Sequence, residues 1–126
     1  MDIELEKRHS DMVWQLAKSG EDIVDGLTKF SAHNLHMAVG ISGEVAECIE
    51  ALFGESREHT VEEIGDLNFY ITGLKLGLKI ETEFVEFSGL AVASLPPIAN
   101  VAIKMSISSG FLLDIIKKQS VYGKML

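Results

Sequence analysis

At 126 residues, 47% of them apolar, the chain is one domain by the usual size range, long enough for a modest core, and nothing in it suggests a second fold. It carries 19 Asp and Glu against 11 Lys and Arg, a net charge of −8, which excludes diffuse attraction to a nucleic-acid backbone or an anionic lipid surface. An anionic ligand would have to be held through a metal ion or a local basic cluster. Strict alternation of apolar and polar residues is rare and the only two prolines are adjacent. The expected fold class is therefore all-α, a helical bundle of four to five helices forming a single domain over residues 1–126.

Residues 3–18 set Ile3, Met12, Val13, Leu16 and Ala17 among charges and predict an amphipathic first helix that stops at Ser19-Gly20. Glu6 and His9 stand three apart in it. A di-iron bundle site needs two such Glu-x-x-His pairs, and no second occurs, so the pair reads as surface. The acidic opening lacks the apolar run of a secretory signal, and none is expected. Gly20, Gly26 and scattered acids predict a loop over residues 20–30 with a single helical turn.

The second helix is expected over residues 31–53, closed by Gly54 and followed by a polar connector, 55–59. Thr60 with Glu63 three residues on makes a capping-box pattern for a third helix reaching about Lys79, with Leu67, Ile71, Leu74 and Leu78 on its apolar face. Gly73 and Gly77 weaken an isolated helix and so point to close packing against a neighbour. A fourth helical segment is expected over 81–93, and Pro96-Pro97 suit the first turn of a last helix through about Ser120.

The apolar run 89–103 is broken by Pro96-Pro97 and Asn100, with Lys104 beyond, before the roughly 20 residues that a membrane span requires. The single Cys48 cannot form an internal disulfide and reads as a small buried hydrophobe. These features lead to the expectation of a soluble cytoplasmic protein with neither a nucleic-acid nor a membrane partner.

Within the second helix, Glu44, Glu47 and Glu50 step by three. At about 100° per residue they form a slowly drifting acidic stripe in an otherwise apolar run. Glu63 and Asp66 repeat the spacing on the third helix, and two such pairs face to face would make a four-carboxylate cage. Crowded carboxylates repel one another unless a cation is present, and a hard divalent ion with oxygen ligands resolves that conflict. The four histidines are scattered and no Cys-x-x-Cys occurs, which argues against zinc. Mg²⁺, with Mn²⁺ as a substitute, is the expected cofactor, held by Glu44, Glu47, Glu63 and Asp66. Simpler roles stand beside this one: a solvated face for Glu44, Glu47 and Glu50, a cap for Glu63, and a first-turn dipole contact for Asp66.

The run Gly43-Glu44-Val45-Ala46-Glu47, followed after fifteen intervening residues by Glu63-Ile64-Gly65-Asp66-Leu67-Asn68-Phe69-Tyr70, resembles the paired Glu-x-x-Glu and Glu-x-x-Asp signature of the MazG-like all-α nucleoside triphosphate pyrophosphohydrolases. The approach, His36-Met37-Ala38-Val39-Gly40-Ile41-Ser42-Gly43, is similar too, and the likeness covers about residues 31–80. It implies cleavage of a nucleoside triphosphate between its α and β phosphates, giving a monophosphate and pyrophosphate. The four acids would be the metal ligands, and Glu47 or Glu44 would orient or deprotonate the attacking water. Tyr70 would abut the base or, equally, belong to the core. Asn68 is a further substrate-binding candidate.

The family's basic stretch ending in Tyr-Gly-Lys is replaced here by Phe53-Gly54-Glu55-Ser56-Arg57-Glu58. Lys117-Lys118-Gln119-Ser120-Val121-Tyr122-Gly123-Lys124 has that look instead. A faint internal repeat, shifted by 64 residues, lays 43–50 over 107–114 and Glu50 over Asp114. The second half thus resembles a degenerate, acid-stripped copy that presents Lys117, Lys118 or Lys124 to phosphates. The same resemblance leaves open a narrow dUTP or dCTP diphosphatase or a phosphoribosyl-ATP pyrophosphatase. A different class, a non-catalytic nucleotide- or partner-binding bundle with a damaged site, is open as well. Glycine-bearing faces and high apolar content predict a homo-oligomer, a dimer or tetramer.

Overall fold

A reciprocal cap starts the helix on which the others rest. The Thr28 amide donates to Ser31 Oγ at 2.9 Å while the Ser31 amide donates to Thr28 Oγ1 at 3.0 Å, so two orphan donors of the first turn are satisfied at once. In the computed structural model, which describes residues 2–54, 56–79 and 97–124, this helix runs over Lys29–Phe53. Among the described residues it is the third of five helices: α1 (Ile3–Leu16), α2 (Gly20–Gly26), α3 (Lys29–Phe53), α4 (Arg57–Leu78) and α5 (Pro97–Tyr122). No strand occurs among the described residues, and the fold is all-α.

Several boundaries differ from the sequence expectation, each for a capping reason. The loop predicted over 20–30 contains the two turns of α2, because Ser19 Oγ accepts from the Asp22 amide at 3.1 Å and Glu21 and Asp22 suit the first-turn dipole. Thr60 is not an N-cap. Ser56 takes that position, accepting from the His59 amide at 3.2 Å, and the Thr60 hydroxyl turns back to donate to the Ser56 carbonyl at 2.7 Å. Glu63 is thereby a full turn inside α4 and has no capping role. The helix ends where Lys79 adopts the left-handed conformation, φ 57°.

Pro97 opens α5 as the sequence predicts, and the helix continues through Asn100 and Lys104 without a break. It is long and apolar enough to cross a membrane by length and composition. It packs along α3, burying Ala102, Ser109, Ile116 and Ser120. The helical segment expected over 81–93 lies outside the described residues.

Both α4 and α5 pack on α3, α2 touches α5, and α1 contacts no other described helix and buries none of its residues. The core forms where α3 presents Met37, Ala38, Ile41 and Val45, at helical spacing, to Leu74 of α4 and Ile116 of α5. Burying each of the larger of these side chains contributes roughly 1.5–3 kcal/mol, so cohesion is concentrated along α3. The Ser120 hydroxyl donates to the Ser31 carbonyl at 3.1 Å, fixing the end of α5 beside the start of α3. Across the other end, Ile49 and Phe53 face Ala102 and Ile103, so α5 runs antiparallel to α3. The two stretches of the suggested repeat fall in α3 and α5.

The approach of α4 to α3 is set by glycines. A Cβ at Gly77 would collide with Asn34 and His33, one at Gly73 with Met37, and one at Gly40 with the Tyr70 ring. The expectation that Gly73 and Gly77 mark close packing holds. The His33 ring Nε2 also lies 2.9 Å from the Gly73 carbonyl, in hydrogen-bond contact. These pairs, 34 with 77, 37 with 73 and 40 with 70, define one antiparallel register. Replacing Gly40 by Val is expected to cost about 1–3 kcal/mol through overpacking against Tyr70. In a double-mutant cycle with Tyr70→Ala, read by urea unfolding, the losses should be strongly non-additive; additive losses would show that the two do not meet.

Candidate metal centre

Continuing that register by one turn brings the acids of α3 opposite those of α4: Glu44 meets Asp66, and Glu47 meets Glu63. Glu44, Glu63 and Asp66 each offer a carboxylate oxygen, and the three oxygens lie within 4.8 Å of one another. Glu63 is only 8% exposed, Glu44 is half-buried, and Asp66 stands at the solvent side. Oε2 of Glu44 and Oε2 of Glu63 are buried without a protein hydrogen-bond partner. Buried oxygens of this kind carry a desolvation cost that only a cation, a proton or water can offset. Three oxygens at this separation, with no Lys or Arg bridged to them among the described residues, are a donor set that a hard divalent ion fits.

Glu47 is not one of the trio. It is exposed, one turn along α3 from Glu44, and lines a small cleft of about 110 Å³ together with Glu50, His59 and Glu63. Its influence reaches the trio all the same. Glu44 is pushed up from 4.5 to about 7, by burial first, then by the proximity and charge of Glu47, and further by Glu63 and Asp66. The same environment pushes the Cys48 thiol up, burial again leading and the charges of Glu63, Glu44, Glu47 and Asp66 following. Cys48 is fully buried behind the acids and is packing, as its sequence context indicates.

Tyr70 is half-buried against the core, its ring over Gly40 and edge-on to His36 (centroids 6.0 Å) and Phe69 (5.2 Å). Asn68 is exposed on α4. Lys117 and Lys118 both hold Asp114, at 3.3 and 2.8 Å, and their hydrogen bonds, that of Lys118 first, keep the Asp114 carboxyl below its usual range. That end of α5 lies beside Ser31, thirteen residues from Glu44, or about 20 Å along the α3 axis. Lys124, just past α5, is exposed at the same end. Within one chain these lysines are not brought to the carboxylates.

His59 is the residue that the sequence leaves unremarked. Its ring Nε2 lies 2.9 Å from Glu63 Oε1. The i, i+4 spacing on α4 is the signal that could have found it. Comparison with protein-family models, with curated proteins and with solved structures finds no match, so the likeness to the MazG-like enzymes rests on the motif residues alone.

The raised Glu44 carboxyl has a thermodynamic consequence. Its folded value of about 7 exceeds the ordinary 4.5, so between these limits the native state binds more protons than the unfolded one, and stability falls as pH rises. In metal-free buffer, urea unfolding should show this loss between about pH 4.5 and pH 7. Glu44→Gln should flatten it, and an unchanged slope in that variant would locate the proton elsewhere.

Proposed function

We propose that the chain is a Mg²⁺-dependent nucleotide pyrophosphohydrolase of the MazG-like kind, with Mn²⁺ as a substitute ion. The observation that carries this reading is the meeting of Glu44, Glu63 and Asp66 oxygens within 4.8 Å, two of the residues having a buried oxygen without a protein partner. The order and spacing of the paired acidic motif supply the reaction class. A bound Mg²⁺ would neutralise charge on the phosphates during their transfer. Glu44, Glu63 and Asp66 would hold the ion, and Glu47, exposed beside them, would orient a water and accept its proton. The water oxygen bonds to the α phosphorus as the bond from that phosphorus to the bridging oxygen breaks. Pyrophosphate leaves with the bonding electron pair.

A second reading, a non-catalytic nucleotide- or partner-binding bundle, has one observation in its favour: Lys117 and Lys118 are tied to Asp114 and stand far along α3 from the acids. Together with the acidic composition, the packing of α5 along α3 is compatible with a soluble bundle, and a cytoplasmic location is part of the same proposal. Exposed Leu5, Met12, Trp14 and Leu16 on α1, with exposed Val101, Phe111, Ile115 and Tyr122 on α5, support a homo-oligomer. Sedimentation at micromolar concentration should find a dimer or tetramer, and a monomer alone would contradict this.

Pyrophosphate release from a panel of ribo- and deoxynucleoside triphosphates with Mg²⁺ tests the activity. The native chain should yield monophosphate and pyrophosphate, and Glu47→Gln should be slower by about 10²–10⁴-fold. A panel restricted to one pyrimidine deoxynucleotide, or to phosphoribosyl-ATP added to it, would mark a narrow diphosphatase of the same chemistry. No turnover, with melting still raised by nucleotide and Mg²⁺ together, would favour the binding module.

A further inference from the structure

We propose that His59 is a positioning residue that holds one oxygen of Glu63 so that the other is presented to a divalent cation between α3 and α4. This inference rests on the cation reading above and adds a residue that the acidic motif does not contain. Its geometry begins at the cap. Ser56 Oγ accepts the His59 amide at 3.2 Å, which fixes the first turn of α4 and with it the direction in which the imidazole leaves the helix. The ring then reaches one turn along α4, where Nε2–H donates to Glu63 Oε1 at 2.9 Å.

Glu63 is more than nine-tenths buried, and the oxygen that His59 does not touch, Oε2, has no protein partner. A carboxylate with neither oxygen held can rotate about its last torsion or turn away from Glu44 and Asp66 altogether. With Oε1 engaged, that rotation is restrained and Glu63 keeps its place in the trio. Cation ligands are commonly oriented by such an outer hydrogen bond, and losing it typically costs 10–100-fold in metal affinity. His59 itself is half exposed, 53% for the side chain, so it stands on the rim and Glu63 is the residue that reaches inward.

Calorimetric titration of the full chain with Mn²⁺ tests this, using the parent protein, His59→Ala and His59→Gln, with helicity by circular dichroism as the folding control. A glutamine amide nitrogen can stand where the imidazole Nε2 does. His59→Ala should bind Mn²⁺ 10–100-fold more weakly and His59→Gln close to the parent. Electron spin-echo spectra of the parent Mn²⁺ complex should lack nitrogen coupling from His59. Equal affinity in parent and His59→Ala, or equal weakening in both variants, would overturn the proposal. Nitrogen coupling that disappears in His59→Ala would also overturn it, by making His59 a ligand. Absence of Mn²⁺ binding by the parent protein would overturn the cation reading itself, a result distinct from the others because it needs no variant.

Discussion

Everything at the acidic end of this bundle depends on how closely α4 can approach α3. Three glycines make that approach possible, Gly40 on α3 and Gly73 and Gly77 on α4, each lying under a side chain of the facing helix. Glycine in a helix interior costs about 1 kcal/mol relative to alanine, and three of them without a packing role would be a poor choice. Here they set one register along several turns, and that register places Glu44 over Asp66 and Glu47 over Glu63. The same contacts that bury Met37 and Leu74 therefore force like charges together two turns away. Cohesion along α3 opposes that repulsion, and the protein stores the conflict at a site where a cation would relieve it.

The chemistry of the site divides between what is buried and what is wet. Glu63 and half-buried Glu44 supply the oxygens that lack protein partners, Asp66 opens the trio to solvent, and Glu47 stands beside it in water. Buried oxygens without protein partners would suit a cation, whereas the exposed Glu47 carboxylate is open to water. That division supports separate roles for the trio and for Glu47, even though all four acids belong to one repeated sequence spacing.

The apolar spacing of α3 and α4, the arrest at Gly54, the start at Pro97 and the close packing at Gly73 and Gly77 could be read from residues, because helix packing writes itself into positions three and four apart. Caps were harder. Ser56 and Thr60 stand one turn apart and both residue types can cap, so the local sequence does not choose between them; Ser56 accepts the His59 amide, and Thr60 lies inside the helix. With Thr60 as the cap, Glu63 has the spacing of a capping residue; with Ser56 as the cap it is a buried acid inside α4. His59 was hidden for the same reason, since a histidine in a connector has no defined neighbour, while on the first turn of α4 it reaches Glu63. The lysines of α5 resemble phosphate-binding residues in sequence, but the antiparallel packing of α5 on α3 carries them to the opposite end of the bundle from the acids.

The proposed function stands or falls with a cation held by the α3–α4 carboxylates. The most direct measurement is an anomalous difference map from crystals grown with Mn²⁺. A peak is expected between α3 and α4 at bonding distance from oxygens of Glu44, Glu63 and Asp66. A map in which these carboxylates turn apart with no ion between them, or in which Mn²⁺ binds only elsewhere, would contradict it.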